Sequence, residues 1–235
     1  MKIKSLIAAG ALSAIAFALP SCNSSSSEDY SPVYTDIVTV SQFTDNSSVF
    51  TFRRVDDSPL VTLTSTRGLN PETVKIGDRM LMSYQTNGVA QFENAAINIV
   101  GIVPTYGKGA TFPKAKAEDT NNFYTAEVFD ASAWRSGTYL NLAVLYGSAS
   151  APKDCRIVVD EATLSNPYPQ LYFILEPQPA AGAGPERIYY LSYTLTELFS
   201  RSTCKGVTLN YTLQSGKKQF TVENINSIDK PKPIE

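Results

Sequence analysis

Histidine is absent from the 235 residues, and tryptophan occurs once. A chain without imidazole lacks the commonest general base and the commonest metal ligand, and with them the Ser-His and Cys-His nucleophile arrangements. Cys/His zinc spacing and the Asp-x-Asp-x-Asp-Gly calcium loop are missing too. No catalytic residue, metal ligand or cofactor is therefore assigned, and the expectation is a protein that is not an enzyme. Charge of one sign is also scarce: 20 Lys and Arg face 22 Asp and Glu, a net of −2. Nucleic acid is a poor partner for such a chain, because binding phosphate needs clustered bases to release counterions. Long apolar runs are confined to the first residues, and nothing later approaches the about 20 residues that carry a helix across a bilayer.

That first run is instructive. Lys2 and Lys4 precede an apolar stretch from Leu6 to Leu19, and small residues then lead to Cys22. A positive start, a short apolar core and a small-residue cleavage site mark a secretory signal, expected here over residues 1–21. Leu19-Pro20-Ser21-Cys22 resembles a bacterial lipobox, which implies diacylglycerol on the Cys22 sulfur and cleavage just before it. One acyl chain binds a membrane only marginally, at about 0.8 kcal/mol per buried CH₂, whereas two or three hold for good. The alternative is an ordinary secreted protein with a chance cysteine; the agreement in position between signal and cysteine opposes it. Asn23, four serines, Glu28 and Asp29 follow, so residues 22–32 read as a flexible tether. The expected setting is the cell envelope, as an outer-membrane lipoprotein facing the periplasm or the surface, with the membrane as partner through Cys22. Loss of Lys2 and Lys4 with the signal makes the mature chain more acidic still.

Cys155 and Cys204 remain. In an oxidising compartment they are a candidate disulfide, whose closed loop would stabilise the fold by about 4 kcal/mol. Two separate buried thiols are the other possibility.

The mature sequence reads as strands punctuated by turns. Val33–Val40, Val49–Phe52, Leu60–Leu63, Arg79–Gln85 and Ile97–Val103 carry β-branched and alternating apolar residues, with one capped helical turn at Asn70-Pro71-Glu72. About five strands with one helical insertion fit a small OB-like barrel over residues 33–107. Residues 108–122, rich in Gly, Pro, Lys and Asn, read as a linker. A second series follows at Tyr124–Phe129, Thr138–Tyr146, Arg156–Ala162, Leu171–Leu175, Ile188–Leu198, Val207–Leu213 and Gln219–Val222. About seven regularly spaced strands suggest a β-sandwich over 123–228, followed by a polar tail at 229–235. The fold class is thus all-β: an N-terminal OB-like small barrel, then a C-terminal β-sandwich.

Lys75-Ile76-Gly77-Asp78-Arg79 running into Met80-Leu81-Met82-Ser83-Tyr84, and Trp134-Arg135-Ser136-Gly137-Thr138-Tyr139-Leu140-Asn141-Leu142, together with the lipobox start, resemble NigD-like lipoproteins. The resemblance covers essentially the whole mature chain and implies the same order of parts: lipid anchor, OB-like barrel, β-sandwich. The chain departs from it at Asp56-Asp57-Ser58-Pro59, where many relatives carry an Asp-Gly hairpin. The family name comes from a bacteriocin-linked gene cluster and implies no biochemical activity.

Other chemical patterns are weak. Ser150-Ala151-Pro152-Lys153 matches Ser-x-x-Lys, but that chemistry needs a helix, and a proline lies inside it. Asp56-Asp57 and Asp160-Glu161 are strand neighbours that point to opposite faces, so neither is a glycosidase pair. Ala180–Gly184 lacks the Lys-Ser/Thr end of a phosphate loop. On the strand at 188–195, Tyr189, Leu191, Tyr193 and Leu195 read as core, leaving Tyr190 on a half-polar face; Tyr190 and Trp134 are the candidate binding aromatics. Three readings follow: a non-catalytic anchored protein binding a protein or envelope component; a surface glycan-binding accessory beside a nutrient importer; and a bacteriocin-associated protection protein.

Overall fold

The computed structural model describes residues 32–56, 58–87, 94–116, 128–148, 150–176, 178 and 184–224. Cys22, the tether and the polar tail lie outside these residues. Most of what is described is strand. β1 (Val33–Thr44), β2 (Ser47–Phe52), β3 (Val61–Ser65), β4 (Arg79–Thr86) and β5 (Asn94–Pro104) close into a barrel in the order β1-β2-β3-β5-β4. All its pairings are antiparallel except β3 with β5, which run parallel over Thr62–Thr64 and Asn94–Ala96. The barrel fills itself from the inward positions: Val38, Val40, Phe50, Phe52, Leu63 and Met82 are all buried in one cluster. Asn70 opens the single turn between β3 and β4, its side chain accepting from Glu72 N at 2.9 Å and its carbonyl from Val74 N at 3.0 Å. An Asn cap followed by proline has that effect.

The second module is a sandwich. One sheet has the order β13-β12-β10-β9-β6, from β6 (Lys114–Ala115), β9 (Asp154–Asp160), β10 (Gln170–Glu176), β12 (Gly206–Leu213) and β13 (Gly216–Glu223). The other has the order β11-β8-β7, from β7 (Val128–Ser136), β8 (Tyr139–Gly147) and β11 (Glu186–Thr194). Their facing sides bury Leu140, Leu142, Val144, Ile157, Leu171 and Val207 in a second cluster. A four-residue helix, α1 (Thr196–Phe199), continues from β11 and buries Leu198. The architecture is the expected barrel followed by a sandwich. Among the described residues no helix is long and apolar enough to cross a membrane.

The connection between the modules is itself ordered by hydrogen bonds. Residues 108–116, the described part of the expected linker, lie against the sandwich: Phe112 stacks on Tyr193 with ring centroids 5.0 Å apart, and Lys114–Ala115 pairs with β9. Just before it, Tyr106 N donates to Tyr190 O at 2.9 Å and Ser192 N donates to Tyr106 O at 3.0 Å, extending the β11 edge. Gly107, at φ +79, passes so close to Tyr193 that an added Cβ would come within 2.5 Å of its ring. Only glycine fits a left-handed residue pressed on an aromatic face.

The cysteines take the second of their two alternatives. Cys155 on β9 and Cys204 before β12 are free thiols, both buried in the sandwich core. The disulfide is not formed in this structure. Strand placement sets Cys155 inward from β9, and Cys204 donates its S–H to Gly206 O at 3.2 Å. Burial pushes the Cys155 thiol up to about 12 and raises that of Cys204 as well, so both behave as small apolar side chains rather than nucleophiles.

Candidate functional site

Where the barrel meets the sandwich, a cation is buried without a carboxylate. Arg79 begins β4, on the outward side of the barrel wall, and is 1% exposed. Its Nε donates to Ser192 Oγ at 2.9 Å, Nη1 to Thr39 Oγ1 at 2.8 Å, and Nη2 to Asn141 Oδ1 at 3.4 Å. The guanidinium carbon lies 4.1 Å from the centre of the Tyr139 ring. Ser192 Oγ in turn donates to Asn141 Oδ1 at 2.8 Å. Arg79 thus joins β1 and β4 of the barrel to β8 and β11 of the sandwich. Burial lowers its pKa to about 10, with Tyr139 acting the other way; it is still charged at neutral pH. The planar fork and the stacked ring explain why this position takes Arg rather than Lys.

A second set of bonds closes the same seam from the β7–β8 turn. Ser136 Oγ donates to the Arg53 carbonyl, and Arg135 forms an ion pair with Asp56. Arg135 Nη1 also donates to the Glu223 carbonyl at 2.6 Å, so one side chain ties the barrel's β2–β3 loop to the sandwich's β13. The two segments that carry the NigD-like resemblance, 75–84 and 134–142, are therefore the two sides of this seam. Their shared role is to hold two modules in one arrangement.

Tyr190 and Trp134 both lie half-buried on the outward face of the three-stranded sheet. Register fixes this: Trp134 pairs with Asn141, which pairs with Ser192, and Tyr190 pairs with Ala143. Residues 190 and 192, two apart on one strand, share a face. Tyr190 is less open than its half-polar neighbours suggest, because the Tyr106 segment is bonded beside it, and burial raises its pKa. The inward residues Leu191, Tyr193 and Leu195 are in the core. The structure thus brings the two aromatics to one face, with the seam at one end of it.

Other carboxylates have structural uses. Asp160 caps the short 3-10 turn Glu161–Thr163 by accepting from Ala162 N at 3.0 Å. Asp56 is held by Arg135, and Asp57 lies outside the described residues. Asp36, inside the barrel end, accepts from Tyr84 OH at 2.9 Å with Arg54 3.9 Å away. Its pKa is raised by burial, against the lowering pull of Tyr84 and Arg54. Lys153 of the Ser-x-x-Lys pattern reaches Glu176 at 3.3 Å, from a segment that is not helical.

Sequence reasoning missed Arg79, Asn141 and Ser192 as partners. The available signal was a lone Asn in the apolar run of β8 and a Ser between tyrosines on β11, polar groups that a sheet face buries only with company.

No protein-family model matches the chain, and no curated protein matches it. Solved structures do. A protein of unknown function from Bacteroides vulgatus is 16% identical, with a TM-score of 0.56, over 86% of this chain and 96% of that one. A NigD-like immunity protein from Bacteroides caccae is 17% identical, with a TM-score of 0.55, over 82% and 93%. A protein described as a lipoprotein from Bacteroides fragilis is 11% identical, with a TM-score of 0.50, over 82% and 97%. None of the three carries an enzyme's name. By its barrel, its sandwich and the order in which they follow, the chain has the two-module fold of NigD-like proteins.

Proposed function

We propose that the chain is a non-catalytic protein of the cell envelope, attached to a membrane by lipid on Cys22 and binding a protein or another envelope component through its two β-modules. The observation that carries this reading is Leu19-Pro20-Ser21-Cys22 at the end of a tripartite export signal. The likeness in fold to a protein described as a lipoprotein supports it. The lack of histidine and the structural employment of Asp56 and Asp160 support a binding role over catalysis. Cells grown with labelled palmitate test the attachment. The wild-type chain should carry label and the Cys22→Ala chain should not; an unlabelled wild type, or label that survives the substitution, defeats the proposal. Turnover of a substrate that one point substitution in the modules abolishes would defeat its non-catalytic half.

A second reading, protection against a bacteriocin, is favoured by the name of the Bacteroides caccae neighbour. Deleting the gene should then raise sensitivity to a co-resident toxin; unchanged sensitivity removes that reading.

A further inference from the structure

The barrel covers one end of the outward face of β7, β8 and β11, and toward the other end exposed and half-exposed positions follow. Phe129, bulged out of β7, is 41% exposed, and Ile188 on β11 is 52% exposed. Leu145 lies between them in register, opposite Ile188 on one side and Asp130 on the other. The Phe129 ring packs against Gly147, where an added Cβ would come within 2.6 Å of it, so the glycine gives the ring its seat. Trp134 and Tyr190 continue the apolar surface toward the seam. Exposed apolar groups that are neighbours in register form a patch, and contiguous apolar patches, unlike scattered residues, often mark interaction sites.

Charge on this face has one sign. Asp130 and Glu186 are exposed at its open end, and neither is ion-paired with a described residue. None of the outward positions of β7, β8 and β11 is Lys or Arg. The chain as a whole is also net negative. Branched aliphatics at Leu145 and Ile188 offer nothing to a sugar's hydroxyls, which argues against a glycan platform and for apolar side chains on the partner.

We infer that this face docks a polypeptide segment that is amphipathic and basic, its apolar side chains on Phe129, Leu145 and Ile188 and its cations beside Asp130 and Glu186. The inference rests on the reading that the chain binds a protein, and it names where and with what chemistry. Acidic flanks would steer such a segment and reject an acidic one. An interface continuous with the Arg79 seam has a rigid floor, so ordering cost falls mainly on the partner.

The chain carries its own reporter, since its one tryptophan is Trp134. The whole mature chain bearing Cys22→Ala, so that no lipid competes for the probe, is titrated with a short amphipathic peptide of Lys and Leu. A Glu and Leu peptide of the same pattern and a neutral glucose oligosaccharide are run beside it. The Lys/Leu peptide should shift Trp134 emission, and the other two should not. Ile188→Ser and Glu186→Lys should each weaken that binding by about tenfold or more, with thermal midpoints unchanged. Asp130→Lys gives a second charge reversal should Glu186→Lys fold poorly, and added salt should loosen the complex. Binding that ignores these substitutions overturns the site while sparing the protein-binding reading. Emission shifts with the oligosaccharide or the acidic peptide overturn the partner's chemistry. Silence with every probe overturns the inference, while the reading beneath it stands or falls with the labelling of Cys22.

Discussion

The inside of the barrel is Val38, Phe50, Leu63 and Met82, and the inside of the sandwich is Leu142, Ile157, Leu171 and Val207. The seam between them is Arg79, Ser192, Asn141, Thr39 and Tyr139, with Arg135, Asp56 and Ser136 at its second contact. The cores gain from area, which is nondirectional and about additive. The seam gains from direction: each group works only if its partner stands at the right distance, and each is costly once orphaned. Cores of this kind specify that each module folds. The seam specifies how the two stand together.

The largest effect should come from the cores. Leu142 is wholly buried at the centre of β8, and Leu142→Ala should cost about 2–5 kcal/mol by lost transfer energy and cavity. Urea denaturation reads it. A cost near zero would mean the sandwich collapses around the gap, and the comparison with the seam would lose its footing.

A smaller loss, different in kind, is expected at Arg79. Arg79→Met keeps the apolar stem and removes every donor, leaving Ser192 and Asn141 to find new partners in a dry place. About 1–3 kcal/mol should go, and Arg79→Lys should not restore it, because an ammonium cannot bond three ways and stack on Tyr139 together. Calorimetry should then resolve barrel and sandwich as two transitions, where the wild type should give one. A single unshifted transition in Arg79→Met would show that the Arg135–Asp56 and Ser136–Arg53 contacts suffice, and that the seam is redundant like a core.

Much of the fold was legible because alternation is a local signal. Val33–Val40 and Arg79–Gln85 announce strands by period, and the structure merely lengthens them to β1 and β4. Most of β7 was not legible: Asp130-Ala131-Ser132-Ala133 has no β-branched residue, and the strand exists because β8 pairs with it along its length. Tertiary pairing overrides weak propensity there. Helix α1 was hidden as the tail of an apolar strand pattern, since four residues give no helical period. The thiol pair was undecidable, because two cysteines far apart in sequence say nothing about their distance in space. The seam was least legible of all. Arg79 and Ser192 are separated by 113 positions, and the local signal at Ser192 does not name its partner. Tyr190 and Trp134 were legible as candidate binding aromatics, but the register that sets them half-buried on one face was not.

The smallest effect sharpens the comparison from inside the barrel, where one polar group sits among apolar ones. Asp36 shares the barrel end with Phe52 and Tyr84, and burial raises its pKa above the ordinary 3.8 even though Tyr84 donates to it and Arg54 lies near. A raised carboxyl pKa means that the folded state holds the proton more tightly than the unfolded chain. The ionised form is then a burden at neutral pH, and the burden lifts as pH falls through the folded pKa. Asp36→Asn removes the charge and can still accept from Tyr84, so it should stabilise the barrel at neutral pH by less than about 1 kcal/mol. The gap between variant and wild type should close as pH drops toward 3.8, read from thermal midpoints taken across that range. A gap that widens in acid would mean that Tyr84 and Arg54 hold the carboxylate more strongly than burial opposes it, and the interior of the barrel would then share the directional logic of the seam.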